Sequence, residues 1–278
     1  MSAGTLAIIT NDPHEVFQRA VISGIREVAE RDHYAVIVHS FGGDPARSSL
    51  IPPSLTDLDG LLVIANILSD DTLRGLYKQG KPIALVSHRV PDTAIPVVVS
   101  NNQQGMAELV YHLVNRCQRR DMVFIRGLMD QTDAQERELA FRQELIRYHL
   151  RVPSVHYLQG DFSPAIAAKS VQAALQLGLH FDSIVASDYV MAIAAVDVLR
   201  QTGVAVPGDV SVVGFGDSQE AEAAGLTTVA ANIVELGACA ARQLISQIQG
   251  LRISGVTMLS VRLMIRQTCG YRPSASND

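Results

Sequence analysis

Length, composition and charge narrow the classes of protein to which this chain can belong. Its 278 residues are 47% hydrophobic and 18% charged, which suits a globular protein with a large core. A net charge of −5 argues against a chain that wraps nucleic acid, and no stretch approaches the roughly 18 apolar residues of a membrane span. The amino terminus lacks the basic and apolar regions of a signal peptide. Cys117, Cys239 and Cys269 form neither a disulfide framework nor a zinc pattern, so we expect a reduced, cytoplasmic protein without metal or cofactor.

Strand-like and helix-like runs alternate along the chain. Short apolar runs predict strands at Leu6–Thr10, Tyr34–His39, Gly60–Ala65, Pro82–Ser87, Met122–Arg126, Val155–Leu158, Ser183–Ser187 and Val210–Phe215. Helical spacing of apolar residues predicts helices at Val16–Arg31, Asp71–Gln79, Met106–Arg116, Asp133–His149 and Pro164–Leu177, with another between the last two strands. This alternation is typical of α/β folds with parallel sheets. About a dozen strands would be too many for one compact sheet, so two sheets in two lobes are predicted.

The segment from Ile184 to Val229 is the most informative part of the sequence. Its two apolar runs end in small and acidic residues, Ser187-Asp188 and Gly216-Asp217. In open α/β sheets, ligands bind just beyond the carboxyl ends of the strands. The pattern therefore predicts a small-molecule site at these strand ends.

Three motifs in this segment carry a family resemblance. Ser187–Ala192 is similar to an Asn-Asp-x-x-Ala helix start, Val206–Phe215 to a Val-Pro-x-Asp-Val-x-Val-Val-Gly-Phe strand, and Leu226–Val229 to a Leu-Thr-Thr-Val strand. Together they resemble the sensor domains of the lactose/purine repressor family and their sugar-binding periplasmic relatives. Further motifs extend the resemblance over nearly the whole chain.

The resemblance implies a type 1 periplasmic-binding fold, with two Rossmann-like lobes joined by three crossings. The crossings map near 101–102, 230–232 and 251–257. The expected amino-terminal lobe is then 4–101 plus 232–250, the carboxyl-terminal lobe 102–231 plus 256–270, and 271–278 a frayed tail. About four residues precede the first strand, so we expect no helix-turn-helix headpiece in this chain. The closing motif Arg266–Gly270 resembles a subgroup with diguanylate cyclase or histidine kinase outputs.

Two arginines match residues that contact the ligand in this family. Arg137 stands in a motif similar to Arg-x-x-Gly-Phe, and its planar guanidinium suits bidentate contact with ligand hydroxyls. The sequence leaves open that it is a solvent-facing arginine. Arg89 matches the arginine of an Asp-Arg pair after the fourth strand, and His88 replaces the aspartate. His88 can donate, accept or titrate, or be a loop histidine without a role.

Four further candidates follow predicted strands, and three of them also rest on the resemblance. Phe17 and Gln18 lie at the start of the first helix, where relatives place aromatic residues that stack on the ligand, although Phe17 also fits the core face of that helix. Phe162 is expected to provide a second stacking surface. Asn66 follows the third predicted strand and is expected to line the ligand site.

The remaining candidates lie at the carboxyl ends of the strands in the motif segment. Ser187 and Asp188 begin a helix, and Asp188 also suits a capping role at the helix amino terminus. Asp217 is the acid that remains where the family has two aspartates, because Gly216 replaces the first. This replacement weakens the expectation of a standard sugar or purine ligand.

The sequence favours a non-catalytic, cytoplasmic sensor that binds a small polar effector in an interlobe cleft and signals by lobe closure. A homodimer is expected, and DNA binding only if the parent protein carries a headpiece. The alternatives are an interaction or dimerisation module with a degenerate pocket, or the sensor of a diguanylate cyclase or histidine kinase. An enzyme is not expected, because no Gly-x-Ser-x-Gly, His-Glu-x-x-His or phosphate-loop motif occurs.

Overall fold

The computed structural model describes residues 4–41, 52–151 and 153–271. Its strands, numbered in chain order, are β1 Gly4–Thr10, β2 Tyr34–Ser40, β3 Gly60–Ile64, β4 Ile83–Val86, β5 Val97–Ser100, β6 Met122–Arg126, β7 Tyr157–Gln159, β8 Ser183–Ala186, β9 Ser211–Phe215, β10 Thr227–Ala231, β11 Val256–Leu259 and β12 Val261–Met264. Its α-helices are α1 Val16–Arg31, α2 Pro53–Thr56, α3 Asp70–Lys78, α4 Asn102–Tyr111, α5 Thr132–Arg147, α6 Pro164–Gln176, α7 Tyr189–Gln201, α8 Gln219–Ala223 and α9 Ile233–Ile248. A π-helical turn spans His112–Arg116, and 3-10 turns span Ser154–His156 and Gln267–Cys269.

The chain divides into two compact units. The amino-terminal unit comprises Met1–Ser100 and Asn232–Leu259, and the carboxyl-terminal unit comprises Asn101–Ala231 and Ser260–Asp278. Each unit holds one six-stranded sheet flanked by helices, which confirms the predicted α/β class with two mainly parallel sheets. No helix in the described part of the chain is both long and apolar enough to cross a bilayer.

The two sheets share one strand order. The first sheet runs β11-β5-β4-β3-β1-β2 and the second β12-β10-β9-β8-β6-β7. All pairs in the first sheet are parallel, whereas β12 pairs with β10 antiparallel in the second. Because parallel strands end at the same edge, the loops after β1, β3 and β4 meet on one unit, and those after β6 to β9 meet on the other.

Both sheets are covered on their two faces, as parallel sheets require. In β1, Leu6 and Ile8 pack into one apolar cluster and Ala7 and Ile9 into another on the opposite face. The alternation follows from the two-residue period of a strand. Such strands have no solvent-facing side, so each reads as a continuous apolar run.

Helix α9 returns to the amino-terminal unit and packs closely on α1. A Cβ atom on Gly24 would lie 1.9 Å from the carbonyl oxygen of Val234, and one on Gly237 would lie 2.0 Å from that of Val21. Glycine at both positions lets the two backbones approach. This contact fixes the segment after Asn232 on the same unit as β1.

One predicted boundary is wrong. The second segment of the carboxyl-terminal lobe was expected to begin at residue 256. Residues 256–259 instead form β11, which pairs in parallel with β5 in the sheet of the amino-terminal unit. The third passage between the units therefore lies at Leu259–Ser260 and not within 251–257. Only one residue separates β11 from β12, so the sequence pattern does not show where one strand ends and the next begins. The expected tail at 271–278 lies outside the described residues except for Tyr271.

Candidate functional site

Five predicted residues lie at or near the carboxyl ends of β1, β3 and β4, and we call this region the first edge. Phe17 and Gln18 are in the first turn of α1 after β1, Asn66 follows β3, and His88 and Arg89 follow β4. Their three strands are neighbours in the sheet. The amino-terminal unit thus brings together the candidates that were predicted there.

Two sharp backbone turns shape the first edge. Ala65 has φ 55° directly after β3, and Ser87 has φ 58° directly after β4. The amide of Ala65 donates to the carbonyl oxygen of Val86, at 2.8 Å, which ties the two turns together. Non-glycine residues with positive φ are uncommon and concentrate at functional sites.

The side chain of Gln18 organises the loop after β1. Its Oε1 accepts hydrogen bonds from the amide of Asn11, at 2.9 Å, from the amide of Asp12, at 3.4 Å, and from the hydroxyl of Thr10. Phe17 is half-buried and packs against the core, as the alternative interpretation of that residue expects. Gln18 therefore stabilises the loop and Phe17 packs in the core, in addition to the ligand contacts predicted for both residues.

His88 is a buried polar group of the first edge. It is 7% exposed, and its Nε2–H donates to Oδ1 of Asp70, at 3.0 Å. Burial lowers the pKa of His88, and the carboxylate of Asp70 opposes this effect. Within the described residues, Nδ1 of His88 is buried without a hydrogen-bond partner. A neutral His88 therefore presents an acceptor nitrogen for a ligand hydroxyl or amine.

The other five predicted residues belong to the carboxyl ends of β6 to β9 in the carboxyl-terminal unit, which we call the second edge. Arg137 lies in α5 after β6, Phe162 follows β7, Ser187 and Asp188 follow β8, and Asp217 follows β9. Their strands are also adjacent in the sheet.

Arg137 forms the centre of a buried network and is not solvent-facing, because it is only 8% exposed. Its Nε donates to Oδ1 of Asn102, at 2.8 Å, and its Nη1 to the carbonyl oxygen of Ser187, at 2.9 Å. Its Nη2 lies 3.5 Å from Oδ2 of Asp133, and the guanidinium stacks 4.0 Å from the ring centre of Phe215. Burial lowers the pKa of Arg137, and carboxylates led by that of Asp133 oppose it.

Ser187 and Asp188 complete the end of β8. Asp188 caps α7, since its Oδ1 accepts from the amide of Met191, at 2.8 Å, so the capping role is confirmed. The Oγ of Ser187 is buried without a hydrogen-bond partner among the described residues. A buried hydroxyl in this state is a candidate for contact with a ligand.

Phe162 lies on a strained turn after β7. Asp161 and Phe162 have φ values of 53° and 55°. The Phe162 ring covers Gly127 so closely that a Cβ at Gly127 would lie 2.3 Å from Cζ. The ring is half-buried, with one part packed against the core of the unit, and its position is set by Gly127.

Asp217 has a strong partner of its own. Arg266 donates from Nη1 and Nη2 to the two carboxylate oxygens of Asp217, both at 2.9 Å. The hydrogen bonds to Asp217 raise the pKa of Arg266. The preceding Gly216 has φ 86°, a conformation that favours glycine over the family's aspartate. This pair ties the closing segment of the chain to the end of β9.

Three partners of His88 and Arg137 that are distant from them in the sequence were not predicted as site residues. They are Asp70, which holds His88; Asn102, which holds Arg137; and Phe215, which lies beneath the guanidinium. Asn102 was identified only as part of a crossing motif. No local spacing points to these contacts, because the partners are 18 to 78 positions apart in the sequence and meet only through the sheet order.

Comparisons with known proteins place the chain in a family. The periplasmic binding protein-like domain family matches residues 110–269, more than half of the chain. The HTH-type transcriptional repressor CytR of Escherichia coli K12 is 26% identical over 271 residues, which cover 94% of this chain and 78% of CytR. The HTH-type transcriptional regulator AscG of the same organism is 29% identical over 160 residues, which cover 57% of this chain and only 47% of AscG.

A solved structure shows the same fold. The transcriptional regulator CelR in complex with cellobiose superposes with a TM-score of 0.85 at 24% identity, covering 95% of this chain and 84% of CelR. The sequence relatives are named as regulators of transcription and not as enzymes, which confirms the non-catalytic expectation. The chain belongs to the family of periplasmic binding protein-like domains.

Proposed function

We propose that this chain is the ligand-sensing domain of a bacterial transcription or signalling regulator, and that it binds a small polar effector. The family resemblance implies that the effector binds in an interlobe cleft and signals by lobe closure. A ligand shifts such an equilibrium only by its different affinity for the two states. We also propose a homodimer, and a location in the cytoplasm in keeping with three free cysteines.

The observation that carries this proposal is a pair of buried, unpartnered polar atoms, one at each edge. Nδ1 of His88 and Oγ of Ser187 both lack a hydrogen-bond partner among the described residues. An unsatisfied buried polar atom costs about 1–3 kcal/mol, so each is expected to have a use. A ligand hydroxyl or amide that reaches either atom would remove that cost.

The effector is proposed to be sugar-like or nucleobase-like. The Phe162 ring offers an apolar surface for stacking, and neutral His88 and Ser187 offer hydrogen-bonding groups without charge. The cellobiose bound to CelR supports a sugar-like ligand. Asp217 is occupied by Arg266, so a ligand that depends on a free carboxylate at β9 is disfavoured.

The degenerate-pocket alternative remains the second candidate, favoured by Gly216 and by the Asp217–Arg266 pair. A thermal-shift screen with mono- and disaccharides, polyols, nucleosides and nucleobases separates the two. A ligand that binds the folded state raises the melting temperature by mass action. We expect at least one compound to raise it, and His88→Ala and Ser187→Ala each to reduce that shift. No shift with any compound would favour the alternative.

A further inference from the structure

Three metal-ligating side chains come together in the carboxyl-terminal unit, outside the residues assigned to either edge. Nε2 of His112 lies 3.2 Å from Sγ of Cys269 and 3.4 Å from Sγ of Cys117. The three ligand atoms all lie within 4.8 Å of one another. One imidazole nitrogen therefore faces two sulfur atoms, which is an arrangement of three possible metal ligands.

The π-helical turn explains how His112 and Cys117 reach each other. In an α-helix each residue turns about 100°, so side chains five positions apart diverge by about 140°. Here the amide of Cys117 donates to the carbonyl oxygen of His112, at 3.1 Å, and closes a wider turn. That turn brings both side chains to the same side of the helix. Such insertions are rare and often occur at functional sites.

The third ligand is held by a separate network. Cys269 ends the 3-10 turn Gln267–Cys269, and the hydroxyl of Ser211 donates to its carbonyl oxygen, at 2.8 Å. The hydroxyl of Thr268 donates to the carbonyl oxygen of Val212, at 2.7 Å. His112 and Cys269 are buried, whereas Cys117 is only half-buried. The cluster is thus positioned in advance and approachable from the Cys117 side.

We propose that His112, Cys117 and Cys269 form a binding site for a thiolate-preferring transition-metal ion of the Zn²⁺ class. Tetrahedral zinc with Zn–S of about 2.3 Å and Zn–N of about 2.0–2.1 Å needs N to S separations of about 3.5 Å. The two separations from His112 are close to this value. Three protein ligands leave the fourth position to water or a small exogenous ligand.

Transition-metal ions bind cysteine as the thiolate, so an ion at this set would release the thiol protons of its sulfur ligands. The bound ion would link the π-helical turn after α4 to the closing segment of the chain. Sequence spacing does not reveal the set, because Cys269 lies 152 positions after Cys117.

The test titrates the reduced full chain with Co²⁺, whose thiolate complexes show a sulfur-to-metal charge-transfer band in the near ultraviolet. We expect one equivalent to produce the band and excess Zn²⁺ to remove it. Cys117→Ser and His112→Gln should each weaken binding at least tenfold, because even an outer-shell partner of a metal site is worth 10–100-fold. Cys239→Ser is the matched control, because this third cysteine lies in α9 of the other unit.

Three results would overturn the proposal: the absence of the band, a band of equal strength in Cys117→Ser, or a band lost in Cys239→Ser. Cys117 is half-buried, so its serine variant is expected to fold, and circular dichroism of each variant checks this. If His112→Gln is unfolded, the titration of Cys117→Ser alone decides the proposal.

Discussion

The two units share a strand order but hold their candidate residues in different ways. At the first edge, neutral side chains such as Gln18 fix the backbone of a loop, and His88 rests on a single carboxylate. At the second edge, the buried cation of Arg137 binds a side chain, a carbonyl oxygen and an aromatic ring. The same strand order therefore supports a first edge with few side-chain contacts and a second edge with a denser network of non-covalent contacts. We expect substitutions at the second edge to cost more stability.

The largest effect is expected from Arg137→Met. Removing one partner of a buried ion pair costs about 3–5 kcal/mol, because Asp133 stays buried without its cation. Arg142→Met is the matched control, since Arg142 is on the same helix, is half-exposed and pairs with Glu138. Its loss should be smaller, because the buried Glu138 keeps Arg126 as a second partner. Urea unfolding of both variants measures the difference, and equal losses would contradict a buried network around Arg137.

A smaller loss is expected from Gly127→Ala. The new Cβ meets the Phe162 ring, and such overpacking costs about 1–3 kcal/mol. Gly75→Ala, in α3 of the other unit, meets nothing within 4 Å and should be neutral or slightly stabilising. The same unfolding experiment compares the two. If Gly127→Ala is as stable as Gly75→Ala, the Phe162 ring is not held in the position described.

At the first edge, Gln18→Ala removes the acceptor of two backbone amides and should cost about 1–3 kcal/mol. The exposed Gln103 provides a control, since Gln103→Ala should change the free energy of unfolding by less than about 0.5 kcal/mol. Hydrogen exchange at Asn11 and Asp12 should also quicken in Gln18→Ala alone. Unchanged exchange there would show that Gln18 does not fix the loop.

The smallest effect concerns pH. Because the pKa of His88 is lowered in the folded state, the unfolded chain binds a proton more readily. The stability linked to neutral His88 is therefore present above the unfolded pKa of about 6.5 and declines as the pH falls below it. The wild type should therefore lose more stability in urea unfolding than His88→Gln between pH 7.5 and 5. A wild type that resists acid better than His88→Gln would reverse the assigned sign.

The sequence predicts the regular elements well where the pattern is strong. Helix α1 and strand β6 occupy the predicted residues, because a wide apolar stripe and a continuous apolar run have no competing interpretation. Helix α9 is absent from the predicted elements, although Leu236, Ala240 and Leu244 follow helical spacing. Strand β11 was placed in the wrong lobe, because the choice of sheet depends on long-range pairing and not on local pattern.

The candidate residues divide in a similar way. Motif position is enough to predict that Ser187 and His88 lie at strand ends and that Arg137 lies on the helix after β6. The partners of these residues depend on which loops become neighbours, so the salt bridge of Asp217 with Arg266 and the support of Arg137 by Asn102 were not foreseen. Residue type and spacing predict where along the fold a side chain lies. Tertiary contacts decide whether its polar atoms already have hydrogen-bond partners within the protein.

The most direct test of the proposed function is amide hydrogen exchange with and without the strongest compound from the thermal-shift screen, at saturating concentration. The account predicts slower exchange at both edges together, in peptides that contain His88 and Arg89 and in peptides that contain Phe162 and Ser187–Tyr189. Slower exchange at one edge only, or at neither, would contradict an effector that is bound by both units.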